Sequence, residues 1–328
     1  MTRTTTAANI ARMAITMTSS IKVKLFGLIP IIKELYHNII IYCMVKNLIF
    51  IILLFLIVFD FFIWAEIIFG GPNKNTELYF LNVGQGDGEL VVWPNNVKTL
   101  IDAGPTNKAA AEFSYLFSPF NRYIDLVILT HPELDHFGGL IDIMKRYQIG
   151  AFIFNGETKD SNGFNDLEKI IQENKIKTII LFEGDKIKYL ENYFDVLSPS
   201  KNLSSGDTNE NGLVLKLTSQ NLKALFTADI GEKTEKDLIR KYGNYLKADI
   251  LKVAHHGSKF SSSENFLAMV SPKISIFEVG KNSYGHPNNG VIERLKNLGS
   301  KIFRTDENGT IKISVDSGKI NIYGKINQ

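Results

Sequence analysis

Five of the chain's six histidines stand where histidine can do chemistry. His37 lies in an N-terminal stretch, whereas His131, His136, His255, His256 and His286 follow β-like runs or sit in glycine-rich loops. Imidazole is a common ligand for zinc and similar cations. The densest group is Thr130-His131-Pro132-Glu133-Leu134-Asp135-His136, which places two imidazoles and two carboxylates within six residues of an apolar run. A tight turn there can aim His131 at one cation, and Asp135 with His136 at a second. Phe226-Thr227-Ala228-Asp229 ends another apolar run on a carboxylate that could bridge two cations, one oxygen to each. Ala254-His255-His256-Gly257-Ser258 and Tyr284-Gly285-His286-Pro287 complete the set.

Each group also has a structural explanation. A loop histidine is often only a solvated surface residue. Thr130 or Asp135 could cap a following helix, and Asp229 could cap the next one. Capping accounts for single acids and not for paired histidines with acids between them.

The elements that must carry these residues alternate in type. Short β-like runs are read at 77–83, 89–93, 98–103, 124–130, 151–154, 178–182 and 193–197. A hairpin is read at 212–217 and 221–228 around Ser219-Gln220, then strands at 248–254 and 274–279 and three closing strands. Helical stretches are read at 107–117, 138–147, 164–174, 231–241, 262–269 and 288–297. Strands in two groups with interleaved helices predict two packed sheets covered by helices.

The ordered motifs IDAG (101–104), THPELDH (130–136), TAD (227–229), AHHGS (254–258) and YGHP (284–287) resemble the metallo-β-lactamase superfamily. LNVGQGDGEL (81–90) is similar to the opening of the C-terminal hydrolase domain of ComEC-type DNA-uptake competence proteins. The similarity runs from about residue 77 to 315. It implies an α/β fold, a four-layer αββα sandwich, with one or two divalent ions (zinc or manganese) at its edge. It implies that His131 holds one ion, that Asp135 and His136 hold a second, that Asp229 bridges them, and that His286 is a further ligand. His255 and His256 match a histidine pair beside the metals, where one either ligates or steadies a phosphate oxygen; with Asp135 they form the expected catalytic group. Behind the ligands, Asp102 would hold the ligand loops and Asp87 would brace the turn of Gly84 and Gly86.

This chain departs from the family pattern twice. Glu133 stands where the usual second histidine would be, and a polar residue near Asn209 or Asn211 replaces a later one. Both changes fall on the first metal position. Oxygen-richer ligation there favours manganese or magnesium over a zinc-only site. The implied reaction is hydrolysis by a cation-activated water, on a phosphodiester of DNA or another phosphate ester. The alternatives are another ester class (lactone, thioester, cell-wall phosphoester) and a decayed binding module of the same fold. Retention of Asp135, His136 and Asp229 speaks against the last.

The N-terminal part is of another kind. Residues 48–59 are unbroken apolar, and the pattern continues past Asp60 and Glu66 to Phe69. Twenty-two helical residues reach about 33 Å, enough for a bilayer core of roughly 30 Å. The readings are a signal anchor, a cleaved signal peptide, and a helix buried in a soluble fold; no small-x-small cleavage site follows the run. Met44-Val45-Lys46-Asn47 before the run has the layout of a bacterial signal anchor. The domains are therefore read as a non-native extension (1–43), an anchor (44–69), a linker (70–76) and the hydrolase domain (77–328). A poorly ordered native tail or a second interfacial helix is the alternative for 1–43. The first 46 residues hold six bases and one acid, a balance of +5, so the rest carries −2 of the total +3. This bias places the N-terminus in the cytoplasm and the hydrolase domain outside it. The acidic balance also speaks against a strong nonspecific nucleic-acid binder. With Cys43 as the single cysteine, intrachain disulfides and cysteine-rich zinc sites are excluded.

Overall fold

The computed structural model describes residues 3–69, 75–203, 206–219, 222–316 and 319–324, with side chains of the first helix at Arg12 and residues 28–65. The chain divides into two compact units, Met1–Gly71 and Pro72–Gln328. The first unit is one helix, α1 (Arg3–Phe69), with Pro30 inside it. Its segment Leu28–Ala65 is long and apolar enough to cross a membrane, and an 18-residue stretch within it has mean hydropathy 3.0. The helix runs without a break through Cys43 and Met44. Linker residues 70–74, and Gln220-Asn221 of the expected hairpin, lie outside the described residues.

The second unit is built on two sheets. The first contains β1 (Glu77–Phe80), β2 (Glu89–Val92), β3 (Lys98–Ile101), β4 (Tyr123–Ile128), β5 (Gln148–Phe154) and β6 (Lys177–Ile180). Its other edge is completed by β14 (Ile311–Asp316) and β15 (Lys319–Tyr323), giving the order β15-β14-β1-β2-β3-β4-β5-β6. The second contains β7 (Lys186–Tyr189), β8 (Asn192–Ser198), β9 (Val214–Ser219), β10 (Leu222–Phe226), β11 (Ile250–Lys252), β12 (Ile274–Phe277) and β13 (Lys301–Arg304), in the order β13-β12-β11-β10-β9-β8-β7. Helices α2 (Lys108–Leu116), α3 (Leu134–Arg146) and α4 (Asn162–Glu173) follow strands of the first sheet. Helices α5 (Glu232–Tyr242), α6 (Glu264–Val270), α7 (Asn289–Asn297) and the one-turn α8 (Thr305–Asn308) follow strands of the second.

Strand periodicity explains the layers. Along β1 and β2, Leu78, Phe80, Val91 and Trp93 enter the core between the sheets, while Tyr79, Leu81, Leu90 and Val92 face the outer core with Phe113, Phe137 and Leu167 of the helices. Successive side chains point to opposite faces, so strands apolar at every position must be covered on both. Phe266, Leu267, Val291 and Leu295 cover the second sheet in the same way. The expected αββα sandwich is what forms. Strand β7 and helix α8 were not read from sequence: β7 is an edge strand of four residues, KIKY, with no fully buried position.

Strands β3 to β6 are mutually parallel, as are β10 to β13. Their C-terminal loops carry the chemistry-bearing motifs, the usual location for sites in such sheets. Close backbone approach holds these loops. A Cβ on Gly139 would lie 2.1 Å from the Ala103 carbonyl oxygen, and one on Gly86 would lie 2.2 Å from that of Asp135. Gly139→Ala is expected to push α3 off the β3 loop and cost about 1–3 kcal/mol, the usual scale of overpacking. Urea denaturation would measure it; an unchanged midpoint would show that α3 can shift freely.

Candidate metal centre

The HPELDH segment does not form an isolated turn. Asp135 and His136 lie in the first turn of α3, whose N-cap residue Glu133 makes no side-chain capping bond. Asp229 is likewise no cap, since α5 starts after Gly231. Both capping explanations fall, and the acids are free for another task.

Asp135, His136, Asp229 and His256 each present one ligand atom, all within 4.8 Å of one another. Nε2 of His136 and Nε2 of His256 both lie 3.4 Å from Asp229 Oδ2. His256 Nε2 is 3.3 Å from Asp135 Oδ2. The orientation of each imidazole is fixed from behind. His136 Nδ1 donates to Asp102 Oδ2 at 2.7 Å, and His256 Nδ1 donates to the Glu278 carbonyl at 2.8 Å. A carboxylate or carbonyl can only accept, so the opposite nitrogen is the one offered to the centre. Asp102 also accepts from the Thr130 amide at 2.8 Å and hydroxyl at 2.6 Å, tying β3 to the ligand loop. Asp102, Ala228, His255 and His256 all have φ between 46° and 52°. Four non-glycine residues in the left-handed region around one centre mark backbone held under strain by its surroundings.

Buried nitrogens test whether a cation fits. Nε2 of His131 and Nε2 of His136 are buried without a hydrogen-bond partner among the described residues. Their rings are 4.0 Å apart. Such unpartnered buried nitrogens are costly unless something binds them. Two carboxylates and oriented imidazoles supply the donors a divalent ion takes, so the residues fit one.

The local charges are strongly coupled. Burial opposes charge on His136, but Asp229, Asp102 and Asp87 outweigh it and hold its pKa well above the usual imidazole range. His256 is pushed up to about 10 against its burial by Asp229 and Asp87. His131 is pushed down to about 3 by burial and by neighbouring His136. Burial also opposes ionisation of Asp229, yet His256, His136 and Lys252 keep its pKa well below the carboxylate range.

Lys252 was not singled out from sequence. It is fully buried, makes a close ion pair with Asp87, donates to the Ala228 carbonyl at 2.8 Å, and lies 3.5 Å from Asp229 Oδ1. Asp229 Oδ2 faces the histidines while Oδ1 faces Lys252. Asp87 is held by both its backbone and its side chain. Its backbone braces the glycine turn, the amide donating to Asp135 and the carbonyl accepting from Gly104, but its carboxylate lies beneath the centre against Lys252 and His256. A charged residue inside the apolar run ADILKVA was the available signal for Lys252. Glu278, at the end of ISIFEV, was a second such signal.

His255 is part-exposed, with Nε2 3.8 Å from Asp229 Oδ2. The ring of His286 is 5.6 Å from that of His255 and 6.4 Å from that of His256, outside the four-residue group. Glu133 pairs with Lys159 and accepts from Thr208 at 2.8 Å. The Asn211 amide donates to Glu157, and its carbonyl accepts from Asn155. A cleft of about 500 Å³ opens over the centre, lined among others by Gln85, Asn209, His255, Tyr284 and His286.

Residues 90–278 match the family model described as the metallo-beta-lactamase superfamily. The chain is 31% identical over 265 residues to ComE operon protein 3 of Bacillus subtilis (strain 168), covering 73% of this chain and 33% of that protein. It is 28% identical over 270 residues to Competence protein ComA of Neisseria gonorrhoeae, covering 78% and 36% respectively. The chain thus spans about a third of the length of these curated relatives. Among solved structures, the metallo-beta-lactamase fold protein YhfI from Bacillus subtilis aligns over 76% of this chain and 100% of its own, with TM-score 0.50 and 12% identity.

Proposed function

The chain belongs to the metallo-β-lactamase superfamily, and on that premise we propose that it is a metal-dependent hydrolase of phosphodiesters, DNA or another phosphate ester, held at a membrane by α1. The observation that carries this reading is the convergence of Asp135, His136, Asp229 and His256 beneath an open cleft. Similarity to competence proteins over most of the domain supports a phosphodiester substrate.

In this reading Asp135, His136, Asp229 and His256 would hold a divalent ion, zinc or manganese, and His131 would serve a second. Such an ion supplies an electrophile and acidifies a water to near neutrality. The chain's own groups do the rest. Asp102 and the Glu278 carbonyl keep the two imidazoles aimed, so no reorganisation accompanies the reaction. His255, part-exposed beside Asp229, is placed to meet a phosphoryl oxygen as negative charge develops on it. Tyr284 at the cleft wall limits the approach of the ester.

Alanine variants separate ligation from catalysis. His256→Ala is expected to weaken cation affinity by about 10-fold or more, scaled from losses on disturbing ligand shells. His255→Ala is expected to keep its cation and lose about 100-fold in turnover, as when one donor to developing charge is removed. His286→Ala should leave cation content unchanged. Metal analysis beside phosphodiesterase assays measures both quantities; loss of the cation in His286→Ala with retention in His256→Ala would exchange the two roles.

Orientation is tested separately. Bases precede the apolar run, so a reporter active only outside the cytoplasm should work when fused after Asn75. Activity of a cytoplasmic reporter instead would reverse the topology. A chain starting at Met44 should insert equally well; failure would give residues 1–43 a role in insertion.

A further inference from the structure

The edge of the sandwich opposite the metal centre carries its own chemistry. Strands β4 and β5 begin there, at Tyr123 and Gln148, joined by the Gln148 amide donating to the Arg122 carbonyl at 2.9 Å. The end of α3 supplies Lys145 and Arg146 to the same place. Together with Phe120, Arg122, Tyr123 and Tyr147 they line a cleft of about 810 Å³. Phe120 is 96% exposed and Tyr115, on the preceding helix, is 83% exposed. Among the described residues no carboxylate lies within ion-pair distance of Arg122, Lys145 or Arg146. Asp125, on β4, accepts from the Lys98 amide.

We propose that this edge is a docking surface for anionic phospholipid headgroups. Exposed aromatic rings with unpaired cations are the composition of groups that sit at the bilayer interface, the ring in the headgroup layer and the charge on phosphate. Connectivity points the same way. Strand β1 runs parallel to β3, since each is antiparallel to β2, so Glu77 begins at the edge where β3, β4 and β5 begin. The domain's first strand therefore starts on the edge that bears this patch. A nucleic-acid substrate is the weaker reading, because the six residues of β4 put roughly 20 Å between the patch and the metal centre. Docking in this way turns the catalytic cleft away from the lipid surface. The proposal rests on the reading that α1 holds the chain at a membrane.

The test uses the full chain in vesicles, with Cys43→Ser to remove the native thiol. An environment-sensitive fluorophore is placed at Phe120→Cys, or at Ser283→Cys on the opposite edge as a reference. With phosphatidylglycerol in the vesicles, emission at position 120 should shift to the blue and be quenched by headgroup-labelled lipid, while position 283 stays unchanged. The shift should vanish in phosphatidylcholine alone and in high salt. Arg122→Gln and Arg146→Gln should each lower the docked-to-undocked ratio about 5-fold, the worth of one basic side chain at an anionic surface. Flotation after an alkaline wash reports the anchor independently. A chain that floats with identical emission at position 120 in both lipids overturns the docking surface alone. A chain that fails to float overturns the anchor and the docking surface together. A shift evoked by an oligonucleotide without lipid would make the patch a nucleic-acid surface and also overturn the proposal.

Discussion

Asp229→Ala is expected to abolish hydrolysis, by at least about 1,000-fold, because it removes a member of a group that acts as a unit. Its Oδ2 is the atom that both His136 and His256 approach at 3.4 Å. Without it, two imidazoles and Asp135 must satisfy the cation with one negative charge fewer. The chain should stay folded, since Lys252 keeps its ion pair with Asp87 and its hydrogen bond to Ala228. Circular dichroism, metal analysis and a phosphodiesterase assay on one sample would check all three. Full metal content with full activity would remove Asp229 from the centre.

Lys252→Met is expected to have the largest effect on stability, a loss of about 3–5 kcal/mol, the scale for deleting one partner of a buried ion pair. The side chain lies on a central strand with no exposure, and its ammonium group faces both Asp87 and Asp229. Methionine fills a similar volume, so lost packing contributes little and the uncompensated Asp87 carboxylate most of the cost. Asp87→Asn in the same chain should recover part of the loss, because the unpaired charge is then gone as well. Denaturant unfolding of the single and double variants measures this. Equal stability of Lys252→Met and the wild type would show that the ammonium group contributes no net stabilisation where it lies.

Much of this centre is legible in the chain because its residues stand at strand ends. His131, His136, Asp229 and His256 each follow an apolar run, and parallel strands bring those ends to one edge. Asp102 is equally legible, as the residue that turns the chain after β3. Which of His256 and His286 joins the four-residue group is not. It depends on which imidazole turns inward, and the left-handed backbone at His255 and His256 sets that, a conformation no histidine announces. Lys252 escapes for another reason: its function lies in Asp87, in the loop before β2 of the other sheet and far away in sequence. The Asn211 amide follows Glu157, a partner that only the packing of distant loops reveals. Edge strand β7 is polar and short, with too little burial to leave a pattern in its residues.

The most direct measurement is cation titration of the full chain, purified in detergent and stripped with a chelator, while bound metal and phosphodiester cleavage are recorded together. Cleavage of bis(p-nitrophenyl) phosphate or of a DNA oligonucleotide should be absent in the stripped protein. It should rise in proportion to bound manganese or zinc, and remain absent in Asp229→Ala at the same metal concentration. Cleavage that persists undiminished in the stripped protein, or a metal-saturated protein that cuts no phosphodiester, would contradict a metal-dependent phosphodiesterase centred on Asp135, His136, Asp229 and His256.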